Sequence, residues 1–286
     1  MAWPDPNLTQ KEKRIDMPFA SVRDIKVYYE IRGKGPRLLS ISGTAGDLRQ
    51  SPNIFDTPLA QHEILAYDQR GLGQTSRPDI PYTMADYAAD ADGLLDVVGW
   101  DHCPVMGVSF GGMVAQELAL RYPHRVERLV LACTSSGGAG GGSYPLHELS
   151  QLPLEDRARR MVILSDIRLT PSWRSANLAQ FQELVNQLVT RFKVGGDEPD
   201  REVGARRQLE ARMGHDTYDR LPNLHIPVYI CGGRYDGIAP PANLEGLHKQ
   251  IPGARLEFFE GGHLFFIQDP RAFKRVAAFL RGELDG

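Results

Sequence analysis

Apolar residues in this chain fall into short continuous runs, separated by stretches with helical spacing. Residues 20–22 and 26–31 alternate like an antiparallel hairpin, with Arg23-Asp24 as the turn. Residues 37–41 and 63–67 read as buried strands. Thr83 then caps a predicted helix through Val98, with Met84, Tyr87, Ala91, Leu94, Leu95 and Val98 at helical spacing. Cys103-Pro104-Val105-Met106 reads as another strand, residues 112–120 as a helix, and residues 126–132 as the next strand. Strands that alternate with helices predict an α/β protein with a doubly wound, mostly parallel sheet.

The rhythm breaks after Cys133. A glycine-rich run from Thr134 to Ser143 follows and is expected to be flexible, either as a hinge or as a disordered surface loop. Helical patterns without strands then fill residues 146 to about 218. The αβ pattern returns at Ile226, with strands expected over residues 226–232 and 254–259. Residues 1–134 and 225–286 are therefore assigned to the core, and residues 135–224 to an inserted helical cap. A cap would cover a site, supply its substrate pocket and exclude water. Residues 1–17 read as an extended arm.

Composition narrows the function. The chain has 286 residues, 42% hydrophobic and 24% charged, enough for one α/β domain plus an insertion. Its net charge of −3 gives no reason to expect nucleic acid or an anionic membrane as partner. Cys103, Cys133 and Cys231 are expected as buried free thiols. No His or Cys cluster suggests a metal, and no cofactor is expected. The first residues lack the apolar core of a signal peptide, and no apolar run approaches the ~20 residues of a membrane span. A cytoplasmic protein with a small-molecule substrate is expected, with a homodimer left open.

The chemistry is concentrated at Gly107-Val108-Ser109-Phe110-Gly111, a G-x-S-x-G stretch between a predicted strand and a predicted helix. A serine on such a turn is held clear of its neighbours at the positive end of a helix. A nucleophilic serine needs a base, and the base needs an orienting acid. Asp236 follows one predicted strand and His263 the next. In an open parallel sheet, functional groups collect outside the carboxyl ends of the strands, so Ser109, Asp236 and His263 are expected together.

With these motifs in order, the chain resembles the α/β-hydrolases, in particular the compact group of 3-oxoadipate enol-lactonase-like enzymes and small esterases. Ser42-Gly43-Thr44-Ala45-Gly46, the stretch from Asp68 to Ser76, the serine turn, Gly232-Gly233-Arg234-Tyr235-Asp236 and Gly261-Gly262-His263 carry the resemblance. Many relatives have His-Gly where Ser42-Gly43 stands here. The resemblance implies a serine hydrolase acting on a carboxylic ester or lactone, with backbone N–H groups of Phe110 and Thr44 as the oxyanion hole. A carbon–carbon bond hydrolase, a cofactor-free perhydrolase and a non-catalytic small-molecule receptor are the alternatives.

Simpler structural roles are expected for the other conspicuous residues. Arg70 is expected to brace its loop by holding backbone carbonyls. The histidines other than His263 are expected on solvated turns or helix ends, and Glu260 is expected to end a strand. Ten of the cap's arginines, Arg212 among them, are expected mostly on a solvated helix face. Trp173 and Phe181 are expected in helical core.

Overall fold

The computed structural model describes residues 18–284. Strands β1 (Phe19–Val22), β2 (Ile25–Arg32), β3 (Arg37–Ile41), β4 (Glu63–Tyr67), β5 (Cys103–Val108), β6 (Val126–Ala132), β7 (Val228–Gly233) and β8 (Arg255–Phe259) form a single sheet. Their spatial order is β1-β2-β4-β3-β5-β6-β7-β8. The β1–β2 and β2–β4 pairs are antiparallel, and all others are parallel. Strand β5, which leads into Ser109, lies between β3 and β6.

The apolar runs are continuous because both faces of the sheet are covered. Leu39, Leu65, Val105, Leu129 and Ile230 face helices α1 (Met84–Val98), α2 (Phe110–Arg121) and α7 (Pro241–Gln250). The residues beside them in sequence, Leu38, Ile64, Met106, Val130 and Tyr229, face the opposite way. They pack with α8 (Phe265–Gln268) and α9 (Arg271–Leu280). Helix α1 begins where expected: Thr83 and Asp86 form a reciprocal capping box, and Gly99 ends the helix in the left-handed conformation.

Between β6 and β7 the described chain forms helices α3 (Leu154–Ser165), α4 (Pro171–Ala176), α5 (Leu178–Lys193) and α6 (Arg201–Met213), with no strand. Ala158, Val162, Phe181 and Val185 make a small separate core there, with Trp173 packed against it. No described helix is long and apolar enough to cross a membrane. The expected arm at residues 1–17 lies outside the described residues.

The glycine-rich run departs from expectation. Part of it is packed in place, at Gly137 and Gly140, while Gly142 is exposed. Gly137 forms a bridge with Asp216, and residues Gly138–Gly140 make one 3-10 turn. A Cβ on Gly137 would lie 1.9 Å from the carbonyl oxygen of His215, and one on Gly140 would lie 2.1 Å from Ser136 Oγ. Glycine is used here because the His215 backbone at Gly137, and the Ser136 and Tyr218 side chains at Gly140, come too close for a Cβ. Composition alone reads the same residues as looseness.

Candidate active site

Ser109 occupies the turn between β5 and α2 with φ 54° and ψ −116°, a conformation that ordinary residues avoid. Several contacts hold it there. Its N–H donates to Ala132 O at 2.8 Å, and its carbonyl accepts from Thr134 Oγ1 at 2.7 Å. The Phe110 ring is fully buried, edge-on against Tyr87 at 5.0 Å. The flanking glycines are a steric requirement. A Cβ on Gly107 would lie 2.3 Å from Gly111 O, and one on Gly111 would lie 2.1 Å from Ile41 O.

The three residues singled out in sequence come together at the carboxyl ends of β5, β7 and β8. His263 Nε2 is 3.1 Å from Ser109 Oγ, and its Nδ1 is 2.7 Å from Asp236 Oδ2. Asp236 is buried, and its other oxygen accepts the N–H groups of Ile238 and Ala239 at 2.7 and 2.9 Å. A carboxylate so fixed leaves Oδ2 for the imidazole. The base is also fixed through its backbone: His263 N–H donates to Ser165 O at 2.6 Å, at the end of α3. A Cβ on Gly262 would lie 1.9 Å from that same oxygen, so glycine lets the loop approach the helix.

Phe110 opens α2, where an N–H has no carbonyl within its own helix to bond. The loop bearing Thr44 lies against Ser109: a Cβ on Gly43 would be 3.4 Å from Ser109 Cβ. Thr44 Oγ1 is buried there without a protein partner.

The remaining candidates are placed elsewhere. Glu260 is half exposed and faces Arg234 at 3.5 Å and Arg168 at 4.0 Å, away from the imidazole. Arg70 braces its loop, but through carboxylates rather than backbone carbonyls: Asp24 and Asp90 each accept two hydrogen bonds from it. His62 and His215 are buried, not solvated as expected. His62 Nδ1 meets Leu59 O of its own turn at 3.1 Å, and His215 Nε2 meets Ser135 O, 80 positions away on the loop after β6, at 3.1 Å.

All three cysteines are free and buried, and burial pushes their thiols up. Cys133 was not linked to the site by sequence. Its Sγ, Asp236 and His263 offer ligand-type atoms within 4.8 Å of one another, a cluster that no local spacing announces because it joins three loop ends. Both imidazole nitrogens are already engaged by Ser109 and Asp236. A concavity lined by Leu224, His225, Ile226 and Pro252 lies at the amino end of β7, the opposite end of the sheet from Ser109.

Helices between β6 and β7 border the site directly. Gly237 N–H donates to Leu164 O at 3.0 Å and Ile167 N–H to Tyr235 O at 2.9 Å, tying α3 to the Asp236 loop. Ala45 N–H donates to Gln208 Oε1 at 3.0 Å, tying α6 to the Thr44 loop.

The fold and the serine turn define an α/β-hydrolase. The chain belongs to the α/β-hydrolase fold family, whose model matches residues 36–270, and it is a hydrolase of that fold. It is similar to the poly(3-hydroxyalkanoate) depolymerase of Ectopseudomonas oleovorans, 32% identical over 77% of this chain and 76% of that one. It is also similar to an Azorhizobium caulinodans protein whose name provisionally assigns it carbamate hydrolysis, 27% identical over 94% of this chain and all of that one. Among solved structures, the enol-lactonase of Burkholderia xenovorans superposes with a TM-score of 0.70 at 23% identity, covering 94% and 98% of the two chains.

Proposed function

We propose that this protein is a serine hydrolase that cleaves a carboxylic ester or lactone through an acyl-enzyme intermediate. The observation that carries the reading is the continuous pair of hydrogen bonds from Asp236 through His263 to Ser109. His263 Nε2 takes the proton of Ser109 as its Oγ attacks the carbonyl carbon. Asp236 holds the proton on Nδ1 and stabilises the imidazolium that forms. The N–H groups of Phe110 and Thr44 receive the oxyanion, and no cofactor takes part. His263 then protonates the leaving alkoxide. Water, deprotonated by the same imidazole, releases the acid and frees Ser109.

The helical insertion is assigned the role of a cap that selects substrate. Its bonds to the Asp236 and Thr44 loops support that role, because a ligand over Ser109 would lie between these loops and the insertion. Likeness to a polyester depolymerase supports the ester reading. Likeness over nearly the whole chain to the provisionally assigned carbamate hydrolase favours a second reading, a carbamate cleaved by the same three residues.

The test is a substrate panel of p-nitrophenyl esters, lactones, alkyl carbamates and β-diketones, with and without peroxide. Mass spectrometry after fluorophosphonate treatment would locate the reactive residue. Ser109 labelling with ester or lactone turnover is expected. Labelling with carbamate turnover alone would favour the second reading, and β-diketone cleavage alone would favour carbon–carbon hydrolysis. Halogenation that requires peroxide would favour a perhydrolase. No labelling and no turnover would leave a small-molecule receptor.

A further inference from the structure

Helix α6 crosses the carboxyl ends of the strands in the order in which they lie in the sheet. Gly204 packs on the loop after β4, where a Cβ would be 1.9 Å from Gly71 O. Gln208 accepts from Ala45 on the loop after β3. His215, just past the helix, bonds Ser135 on the loop after β6. The strand between β3 and β6 is β5, which leads into Ser109. Arg212 stands between Gln208 and His215 in sequence, on the same face as Gln208, so the helix carries it across the end of β5.

Arg212 is only 7% exposed. Among the described residues its side chain makes one hydrogen bond, from Nη2 to Ser143 Oγ at 2.6 Å, and Nε is buried without a partner there. The other deeply buried arginine, Arg70, holds two aspartates. Among the described residues no carboxylate pairs with Arg212, and burial alone pulls its pKa down to about 10. A buried cation without a counter-ion is costly, and a native chain keeps one where a ligand supplies the missing charge. Other unsatisfied groups lie along the same face. Gln208 Nε2 is a buried donor without a partner, as is the hydroxyl of Thr44 beside Ala45. His215 adds no charge, since burial holds its pKa down at about 4. The set therefore presents a single positive charge with neutral donors around it. That balances a monoanion, whereas a phosphate dianion would leave buried negative charge in excess.

We propose that Arg212 and the Gln208 amide bind a free carboxylate of the substrate, so that the ester or lactone cleaved over Ser109 is itself an anion. This assignment rests on the hydrolase reading of Ser109, and the planar guanidinium fork suits a carboxylate. The eleven arginines of the insertion hide the residue in sequence. Its signal is weak: Arg212 shares with Gly204 and Gln208 the one buried stripe of an otherwise polar helix.

The experiment compares the p-nitrophenyl monoester of glutaric acid with its neutral methyl diester, read as a ratio of kcat/KM within each variant so that general losses cancel. Wild type is expected to prefer the anionic ester by about tenfold or more, chiefly through KM. In Arg212→Met the ratio should fall to near one, and Arg212→Lys should keep part of it. A wild type with no preference, or an Arg212→Met variant that retains it, overturns the proposal. A second measurement does not need turnover: glutarate should raise the thermal midpoint of wild type and of Ser109→Ala, but not of Arg212→Met, while neutral glutaramide should not. If no ester is turned over, the hydrolase reading falls while glutarate still decides the role of Arg212. Tighter Arg212-dependent binding of inorganic phosphate than of glutarate would overturn the carboxylate assignment.

Discussion

Gln208 Oε1 accepts the backbone N–H of Ala45 at 3.0 Å, joining residues 163 positions apart in the chain. The bond couples the insertion to the loop proposed to hold the oxyanion. A helix proposed to select substrate is thus fixed against a loop proposed to act on the reacting carbonyl, and on that reading a change on α6 would reach the chemistry through one side chain. Electrostatic stabilisation depends on such prior fixing, because a donor that must reorganise during the reaction gives back part of its effect.

Ser109→Ala should abolish turnover and leave the fold intact. Alanine removes the Oγ that lies 3.1 Å from His263 Nε2 while keeping the buried turn. Loss of the nucleophile in such a triad costs on the order of 10⁶ in kcat. The check is p-nitrophenyl ester hydrolysis beside a circular dichroism melt. A variant that keeps a tenth of the wild-type rate would remove Ser109 from the mechanism.

The acid is tested by a pair of variants. Asp236→Asn keeps the size of the side chain but favours the wrong imidazole tautomer, and should lower kcat by about 10⁴. Glu260→Gln should leave kcat within about twofold, because Glu260 faces Arg234 and Arg168 in solvent, where such pairs contribute little. The opposite ranking would show the acid to be misassigned.

The inner strands β3 to β7 were readable because they are buried largely on both faces, which writes a nearly unbroken apolar run, whereas β1 and β2 were readable from alternation. The runs at 37–41 and 63–67 coincide with β3 and β4. Ser109, Asp236 and His263 were readable because each follows such a run, and the sheet then brings the ends together. Interactions that depend on the third dimension were not readable. Cys133 meets Asp236 and His263 only after the loops converge. His215 and Arg212 look like surface residues until the chain closes over them. The brace partners Asp24 and Asp90 lie 46 and 20 positions from Arg70, which no local pattern could supply.

The glycine run separates two kinds of position within six residues. Gly137 has φ +71° and no room for a Cβ, whereas a Cβ on Gly142 would meet nothing within 4 Å. Gly137→Ala should therefore destabilise the protein by about 1–3 kcal/mol, from backbone strain together with the clash on His215. Gly142→Ala should stay within about 0.5 kcal/mol of wild type, as open surface positions do. Urea unfolding of both variants is the measurement. Equal effects would mean that the run is loose after all, and that the contact with His215 does not constrain it.

His215 should make the protein less stable as the pH falls. Its Nε2 donates to the carbonyl of Ser135, so Nδ1 is unprotonated in the neutral ring, and burial holds the folded pKa at about 4 against an ordinary value of 6.5. Glu117 and Asp216 act in the opposite direction, but desolvation is larger. The unfolded chain then binds a proton at this residue that the folded chain refuses. Stability from this group is fully present above pH 6.5 and is lost as the pH drops towards 4. At pH 4.5 the loss should be about 2–3 kcal/mol. Asp68 works the other way over part of this window, because burial raises its pKa to about 6 and so favours the folded state in acid. The comparison must therefore be a difference between proteins. His215→Gln keeps a donor for Ser135 and removes the titration, so unfolding free energies at pH 7 and pH 4.5 should diverge less for the variant than for wild type. Parallel losses in the two proteins would exclude His215 as the source of the acid sensitivity.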